Sequence, residues 1–221
     1  MTMARVGQVL DHVEIRILGV LLEKEQTTPD IYPMSVNAIL VGSNQKTARE
    51  PVMELLDGAI HGGLRSLAQG QFVQRIEGVR VTKWRHTLDS RWNLDSARKA
   101  IMSLLMLRGE QTAGELRTRS DRTHEFASVG EVEQTLGELA EGPEPLVRLL
   151  PRQPGQKEAR WIHCLGIVEE SRESAAVQRY ASDEPEDLAT RVADLNRRVR
   201  ELERIVGLLA AEKGVGSEHH E

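Results

Sequence analysis

Hydrophobic positions recur at helical spacing in two stretches of the chain that follow the same plan. The first stretch contains Val13, Ile17, Val20 and Leu21, and the second contains Ala97, Ile101, Leu104 and Leu105. Each set is spaced i, i+4, i+7 and i+8, which places its members on one face of an α-helix. The predicted helices end in related sequences, LLEKEQT at 21–27 and MLRGEQT at 106–112. The pattern therefore predicts an internal repeat that opens with a helix.

In the first copy, two more helices and two strands are predicted. The helices span about residues 34–45 and 57–69, with Asp57 as the N-cap of the latter. The strands are Phe72–Ile76 and Val79–Trp84, joined at Glu77-Gly78. Short β-rich runs separated by a glycine-containing turn indicate a hairpin.

The second copy predicts the same order of elements. Both of its further helices open with a capping-box signature, Thr112-x-x-Glu115 and Ser128-x-x-Glu131. The predicted elements are helices at about 112–120 and 129–141 and strands at Leu146–Leu150 and Ala159–Leu165.

Three helices followed by a hairpin are typical of the winged helix-turn-helix. The sequence thus predicts a mainly α protein with small β-hairpins, an α+β fold made of two tandem winged helix-turn-helix domains. The predicted domains are residues 1–91 and 92–168. NQKTAREP, residues 44–51, is then the turn of the helix-turn-helix. It ends the second helix, and Glu50 should be extended because a residue before proline avoids the helical region.

Four longer motifs resemble the YceH-like family of uncharacterised bacterial proteins. They are LLEKEQTTPDIYPMSVNAI, NQKTAREPVMEL, MLRGEQTAGELRTRS and PRQPGQKEARWIH, and the resemblance covers about residues 11–166. It implies a tandem winged-helix fold, in agreement with the periodicity. It implies no activity, so it assigns no role to any motif residue.

The C-terminal part has a different pattern. After a predicted linker at 169–183, residues 184–213 contain a heptad repeat, and residues 214–221 are predicted to be a disordered tail. The heptad positions are Leu188, Val192, Leu195, Val199, Leu202, Val206 and Leu209. Valine at a and leucine at d favour a parallel two-stranded coiled coil, so we expect a homodimer. A single amphipathic helix folded onto the domains is the alternative.

Charge is unevenly distributed along the chain. The net charge is −5, but residues 1–91 hold 11 basic against 10 acidic residues and residues 92–166 hold 10 against 11. The remaining residues, 167–221, therefore supply the imbalance. There is no apolar run of about 18 residues, so no membrane helix is expected. With one cysteine, Cys164, an internal disulfide is excluded, and we expect a cytoplasmic protein.

The sequence contains no recognisable catalytic motif. Its seven histidines and one cysteine have no zinc-site spacing, and neither a phosphate-binding glycine loop nor a serine-nucleophile motif is present. We therefore predict no catalytic residue, no metal and no cofactor, and a protein that is not an enzyme.

Two functions are compatible with this fold. The first is binding of double-stranded DNA by a transcriptional or nucleoid regulator through the first domain. Its candidate residues are Lys46, Arg49, His61, Arg65, Arg75, Arg80, Lys83 and Arg85. The second is a protein-interaction scaffold without DNA binding, whose acidic second domain binds a basic protein. The predicted third helix of that domain contains Glu131, Glu133, Glu138 and Glu141 and no basic residue, which disfavours contact with phosphates.

Overall fold

The computed structural model of the protein describes residues 9–78 and 81–166. Its helices are α1 (His12–Thr27), α2 (Val36–Ser43), α3 (Asp57–Gln69), α4 (Leu88–Trp92), α5 (Ser96–Arg108), α6 (Ala113–Ser120) and α7 (Val129–Ala140). Its strands are β1 (Met34–Ser35), β2 (Val73–Ile76), β3 (Lys83–His86), β4 (Val147–Leu149) and β5 (Trp161–His163), and a 3-10 helix, Pro29–Ile31, precedes β1. The architecture is mixed α+β, which confirms the fold class predicted from the sequence at that level.

Helix α3 spans the predicted residues, but its N-cap is Leu56. The Leu56 carbonyl accepts hydrogen bonds from the N–H groups of Ala59 (3.0 Å) and Ile60 (3.3 Å), and its own backbone is extended. Asp57 is thus the first helical residue, and its carboxylate lies near the positive end of the helix dipole. The prediction of Asp57 as the N-cap is wrong by one position, because a leucine cap has no side-chain acceptor to mark it in the sequence.

The first hairpin differs from the prediction in its second strand. β2 and β3 pair antiparallel, with Val73 opposite His86 and Ile76 opposite Lys83. The second strand is therefore Lys83–His86 where Val79–Trp84 was predicted, and residues 79 and 80 of the predicted strand lie outside the described residues. The short strand β1 pairs with the other edge of β3, which gives a three-stranded sheet in the order β1–β3–β2.

In the second copy, α6 and α7 begin where the capping signals predict. Thr112 Oγ1 accepts from the Glu115 N–H (3.1 Å) and the Glu115 carboxylate accepts from the Thr112 N–H (3.0 Å), a complete capping box. Ser128 caps α7 through the Glu131 N–H (3.2 Å). The Glu131 carboxylate, however, accepts from the N–H of Ala127 (2.7 Å) and not from that of the cap residue, Ser128. The second predicted capping box is therefore formed on one side only.

Both copies of the repeat contribute to one hydrophobic core. The fully buried side chains of α1 and α5 include Ile17, Leu18, Leu21, Leu22, Ile101, Met102 and Leu105. The two helices pack closely at Gly19, where a Cβ would lie 2.9 Å from the Cβ of Met106 and 3.0 Å from the side chain of Leu107. The opening helices of the two copies are therefore buried against each other.

Several predicted features lie outside the described residues. They are Arg80, the linker at 169–183, the heptad segment at 184–213 with Leu188, Val192, Leu195, Val199, Leu202, Val206 and Leu209, and the tail at 214–221. Over residues 9–78 and 81–166, none of the helices has the length and apolar character needed to cross a membrane.

Candidate functional site

Helix α3 has one buried and one exposed face. Ile60, Leu64 and Leu67 are fully buried, as the sequence predicts. Among the candidate residues, His61 and Arg65 are exposed on the opposite face. His61 Nε2 lies 3.5 Å from Asp57 Oδ2, one helical turn earlier, and the His61 side chain is 54% exposed.

Two glycines on this exposed face have no packing role within the described part of the protein. A Cβ added at Gly58 or Gly62 would have no heavy atom within 4 Å. A Cβ at the neighbouring Gly63 would instead lie 2.7 Å from Cδ1 of Ile17, because that position faces the core. Among the three glycines of α3, Gly63 is the one that internal packing requires, and the face at Gly58 and Gly62 is open.

The pairing of the first hairpin places its candidate cations on two faces of the sheet. Because directly opposed residues share a face, Lys83 and Arg85 belong to the face that includes Ile76 and Gln74. Nε of Arg85 donates to Gln74 Oε1 at 2.9 Å. Arg75 is opposite Trp84 and thus lies on the other face.

The exposed side chain of Arg75 has an acidic neighbour in the same hairpin. Its Nη2 lies 3.0 Å from Glu77 Oε1, and it also donates to the Thr82 hydroxyl at 3.4 Å. The hairpin therefore presents Lys83 and Arg85 as a pair, without Arg75 beside them.

Arg49 is not available to an external ligand. Its side chain is 0% exposed, and its guanidinium donates to both oxygens of Glu23 and to the carbonyls of Gly42 and Ala48. The prediction of Arg49 as a DNA-binding residue is wrong, because the side chain folds inward and is fully occupied by internal acceptors.

The turn at residues 44–51 is held from inside the protein. The buried Arg16 donates to the carbonyls of Ser43 (3.3 Å) and Pro51 (2.6 Å), and burial together with the charge of Arg49 lowers the pKa of Arg16 to about 10. The Glu50 N–H donates to the Leu107 carbonyl of α5 at 2.8 Å. The turn is thus fixed to both copies of the repeat.

Lys46 of this turn is exposed and lines a cleft of about 470 Å³ together with residues of both copies. The basic residues of this cleft are Lys24, Lys46, Arg108, Arg119 and Arg122. The acidic residue among its lining residues is Glu23, which already binds Arg49. We refer to this feature as the basic cleft.

Arg108 and Arg119 occupy different environments in the basic cleft. The Nε of Arg108 is buried and has no hydrogen-bond partner among the described residues. Burial, followed by the charges of Arg119 and Arg49, lowers the pKa of Arg108. Arg119 donates to Gln111 Oε1 at 2.8 Å and lies 3.7 Å from Glu115. Within the described part of the chain, the Nε of Arg108 therefore lacks an acceptor, and the side chain lies near a second cation.

A polar cluster joins α1, β3, α4 and α5. Glu25 Oε2 lies 3.0 Å from His86 Nε2 and 2.6 Å from Lys99 Nζ, and Lys99 Nζ also lies 2.7 Å from Asp89 Oδ2. The His86 hydrogen bond and, after it, that of Lys99 lower the pKa of Glu25 to about 2, although burial opposes the shift. The Tyr32 hydroxyl accepts from the His86 N–H at 2.8 Å, and burial raises the pKa of Tyr32.

This cluster includes a set of groups able to hold a metal ion. Glu25, His86 and Asp89 each offer one ligand atom, and these atoms lie within 4.8 Å of one another. However, the ammonium of Lys99 lies against both carboxylates. Because a cation would meet this positive charge, the cluster fits an internal ion-pair network better than a metal centre.

The third helix of the second copy, α7, presents acidic groups. Glu131, Glu133 and Glu138 belong to it, and Glu138 accepts a 2.8 Å hydrogen bond from Arg98 of α5. Ion pairing with Arg98 lowers the pKa of Glu138. This helix is therefore unlike α3, whose exposed face contains His61 and Arg65.

Comparison with known proteins identifies the family. Residues 10–156 match the family described as "Protein of unknown function, DUF480". The UPF0502 protein azo0627 of Azoarcus sp. (strain BH72) is 45% identical, with 91% of this chain and 90% of the relative covered. A UPF0502 protein of Shewanella amazonensis is also 45% identical, over 88% of this chain and 94% of the relative. UPF0502 protein GSU0233 of Geobacter sulfurreducens is 43% identical, over 91% of this chain and 90% of the relative. The chain therefore belongs to the DUF480 family of uncharacterised bacterial proteins, whose relatives are UPF0502 proteins.

Proposed function

We propose that the protein is a non-enzymatic DNA-binding protein of two tandem winged-helix units. In this proposal α3 enters the major groove of double-stranded DNA, and the hairpin β2–β3 contacts the phosphate backbone as the wing. The order of three helices and an antiparallel hairpin in each copy supports the winged-helix assignment.

The observation that carries the proposal is the open face of α3. Gly58 and Gly62 lower the helix propensity by about 1 kcal/mol each relative to alanine, with no internal packing contact in return. A glycine face lets another molecule approach the helix backbone closely. Arg65 lies on the same exposed face, and arginine can donate two hydrogen bonds to guanine.

The hairpin adds phosphate contacts on a neighbouring element. Lys83 and Arg85 share one face, and Arg85 binds only the neutral Gln74 among the described residues, so its charge remains uncompensated. Together with Lys46 and Arg65, the described residues supply four candidate cations. In contrast, the carboxylates of α7 would repel phosphates, which restricts the proposed interface to the first copy.

A second candidate function is that of a protein-interaction scaffold. It is favoured by Leu56, which is 79% exposed immediately before α3, and by the exposed Val52 in the preceding loop. Apolar side chains next to a glycine face suit a protein partner better than phosphates. In this alternative the acidic face of α7 contacts a basic protein.

The test is duplex binding as a function of salt. Three phosphate contacts, from Lys46, Lys83 and Arg85, predict a slope of log K against log salt of about −2.7, so affinity for a random-sequence duplex should fall about 40-fold between about 50 and about 200 mM salt. The triple variant Arg65→Gln/Lys83→Gln/Arg85→Gln should reduce the slope to about −1.

The matched control removes charge from the hairpin of the second copy. Arg148→Gln/Lys157→Gln should leave the slope and the affinity nearly unchanged, because β4–β5 is not part of the proposed interface. If the full chain does not bind duplex at the lower salt concentration, or if both sets of substitutions weaken binding equally, the DNA-binding proposal is wrong. The scaffold alternative would then remain.

The proposed dimer depends on residues 184–213, with leucine and valine at the heptad positions. Sedimentation equilibrium of the full chain should give twice the mass of a single chain. Removal of residues 184–221 should give the monomer mass. An unchanged state of association after removal would contradict dimerisation through this segment.

A further inference from the structure

We infer that the basic cleft is a binding site for a small phosphate-bearing ligand of nucleotide size. The cleft is lined by the turn before α3, by the end of α1 and by α5 and α6, so it is built from both copies of the repeat. This inference does not depend on DNA binding by α3 and the wing, and Lys46 is the one described residue that both proposals use.

The charge of the cleft is the first argument. Five basic residues line it, and its acidic lining residue, Glu23, accepts two hydrogen bonds from the buried Arg49 and lies 3.4 Å from Lys24 Nζ. Of the acidic residues near its rim, Glu115 binds Arg160 at 3.1 Å and is 3.7 Å from Arg119. Internal acids thus neutralise only part of the positive charge, and a bound anion would compensate the rest.

The state of Arg108 is the second argument. Its Nε is buried without a hydrogen-bond partner, and an unsatisfied buried donor of a charged group is unfavourable. The guanidinium lies at the end of α5, where Arg119 repels it and its acid neighbour Glu23 is occupied by Arg49. Arg108 and Arg122 both line the cleft, and phosphate oxygens match the planar donors of guanidinium groups, so a bound phosphate would supply the acceptors and the negative charge that these two side chains lack.

The third argument is the shape of the site and its further donors. A volume of about 470 Å³ falls within the range of sites for small ligands. Lys46 and the Thr47 hydroxyl are exposed on the turn, and neither has a hydrogen-bond partner among the described residues. A concave site of this size suits a di- or triphosphate better than the convex backbone of a duplex.

A ligand in this position would contact the turn and α5 at once. The turn leads to α3, and the Glu50 N–H already joins it to the Leu107 carbonyl. Binding would therefore tie Lys46 to Arg108 and Arg122 and stabilise the described part of the chain against unfolding.

The test is calorimetric titration of the full chain with inorganic pyrophosphate and with ADP at constant ionic strength. We expect a dissociation constant below about 1 mM for at least one of the two probes. Arg108→Gln and Arg122→Gln should each weaken binding by about tenfold or more, because each removes charge-assisted hydrogen bonds. Arg65→Gln is the matched control, since it removes an exposed arginine outside the cleft, and it should change the constant by less than about twofold.

Arg122 is exposed, so Arg122→Gln tests the site even if Arg108→Gln impairs folding, which circular dichroism would reveal. The inference is overturned if neither probe binds at about ten times the expected dissociation constant. It is also overturned if Arg65→Gln weakens binding as much as Arg122→Gln, which would indicate diffuse charge attraction.

A third measurement uses a short DNA duplex. If the duplex binds, loses affinity in Arg108→Gln and Arg122→Gln, and neither pyrophosphate nor ADP binds, the cleft contacts backbone phosphates and the small-ligand inference is wrong. If the probes bind the cleft while Arg65→Gln/Lys83→Gln/Arg85→Gln has no effect on duplex binding, the DNA interface is wrong and the small-ligand site stands.

Discussion

The guanidinium of Arg49 donates two hydrogen bonds to the carboxylate of Glu23, 3.1 Å from Nη1 to Oε1 and 2.7 Å from Nη2 to Oε2. The pair joins the turn before α3 to α1, and the Arg49 side chain is fully buried. Burial raises the pKa of Glu23, but the hydrogen bonds and the charge of Arg49 outweigh this effect, so the pKa is lowered overall. The ion pair therefore stabilises the turn that leads to the proposed DNA-contacting helix.

Replacement of Arg49 should destabilise the fold strongly. Arg49→Gln removes both guanidinium hydrogen bonds to the half-buried carboxylate of Glu23, which among the described residues keeps only Lys24 Nζ at 3.4 Å, and it removes the donor to the Gly42 carbonyl. We expect a decrease of about 3 kcal/mol in the free energy of unfolding, measured by urea denaturation. The exposed control Arg65→Gln should change it by less than about 0.5 kcal/mol. Equal effects of the two substitutions would contradict the assignment of Arg49 to the interior.

Acid should weaken the cluster around Glu25. The pKa of Glu25 is about 2 in the folded state, below the ordinary value of 4.5, so the ionised carboxylate stabilises the fold. This stabilisation is fully present above pH 4.5 and is lost as the pH falls towards about 2. Allowing for partial exposure, we expect its loss to cost about 2 kcal/mol.

The measurement is urea unfolding at a series of pH values between neutral and about 2. Glu25→Gln cannot titrate, so its unfolding free energy should start lower at neutral pH and decline less steeply below pH 4.5. A variant whose pH profile runs parallel to that of the original protein would show that other carboxylates cause the acid sensitivity.

Lys99 should exclude metal ions from the same cluster. Its ammonium contacts both Glu25 and Asp89, while His86 completes the set of three ligand groups. Lys99→Ala removes the competing charge and leaves two carboxylates and an imidazole, which are suitable zinc ligands. We expect this variant to melt at a lower temperature than the original protein but to regain about 5 °C with excess zinc.

Excess zinc should not raise the melting temperature of the original protein. The double variant Asp89→Asn/Lys99→Ala should also show no gain, because it lacks one ligand of the set. If zinc raises the melting temperature of the original protein as much as that of Lys99→Ala, the ammonium does not prevent metal binding.

Much of the fold follows from local patterns in the sequence. The bounds of α3 and α6 agree closely with the predicted helices, and Thr112 forms the predicted capping box, because helical periodicity and caps depend on neighbouring residues. Helix α4 was not predicted, since five residues are too few to show a period. The pairing of β1 with β3 is also absent from the sequence pattern, because it joins residues about fifty positions apart.

The candidate site was less predictable, because side-chain direction and long-range partners decide it. The sequence grouped Arg49 with Lys46 as cations of one turn, yet Arg49 folds inward to Glu23 and Lys46 faces the basic cleft. Arg119 lies 3.7 Å from Glu115, one helical turn earlier, whereas Arg108 and Arg122 are brought to the same cleft only by the fold. The signal available in the sequence is the concentration of basic residues at 108–122.

The glycines of α3 allow stability and binding to be separated. Gly58→Ala and Gly62→Ala introduce a Cβ into open space, so each should stabilise the fold by about 0.5 to 1 kcal/mol through helix propensity. The same Cβ groups would project from the face that is proposed to approach DNA. The double variant should therefore unfold at higher urea concentration and bind duplex about tenfold more weakly.

Gly63→Ala is the control on the opposite face. Its Cβ would lie 2.7 Å from Cδ1 of Ile17, so overpacking should destabilise the fold by about 1 kcal/mol or more. Duplex binding by the folded fraction of this variant should be unchanged, since Gly63 lies on the face of α3 that is turned towards the core. Urea denaturation and duplex titration at low salt supply both quantities. If Gly58→Ala/Gly62→Ala gains stability but retains full affinity for duplex, α3 does not contact DNA, because the added methyl groups would otherwise separate the two surfaces.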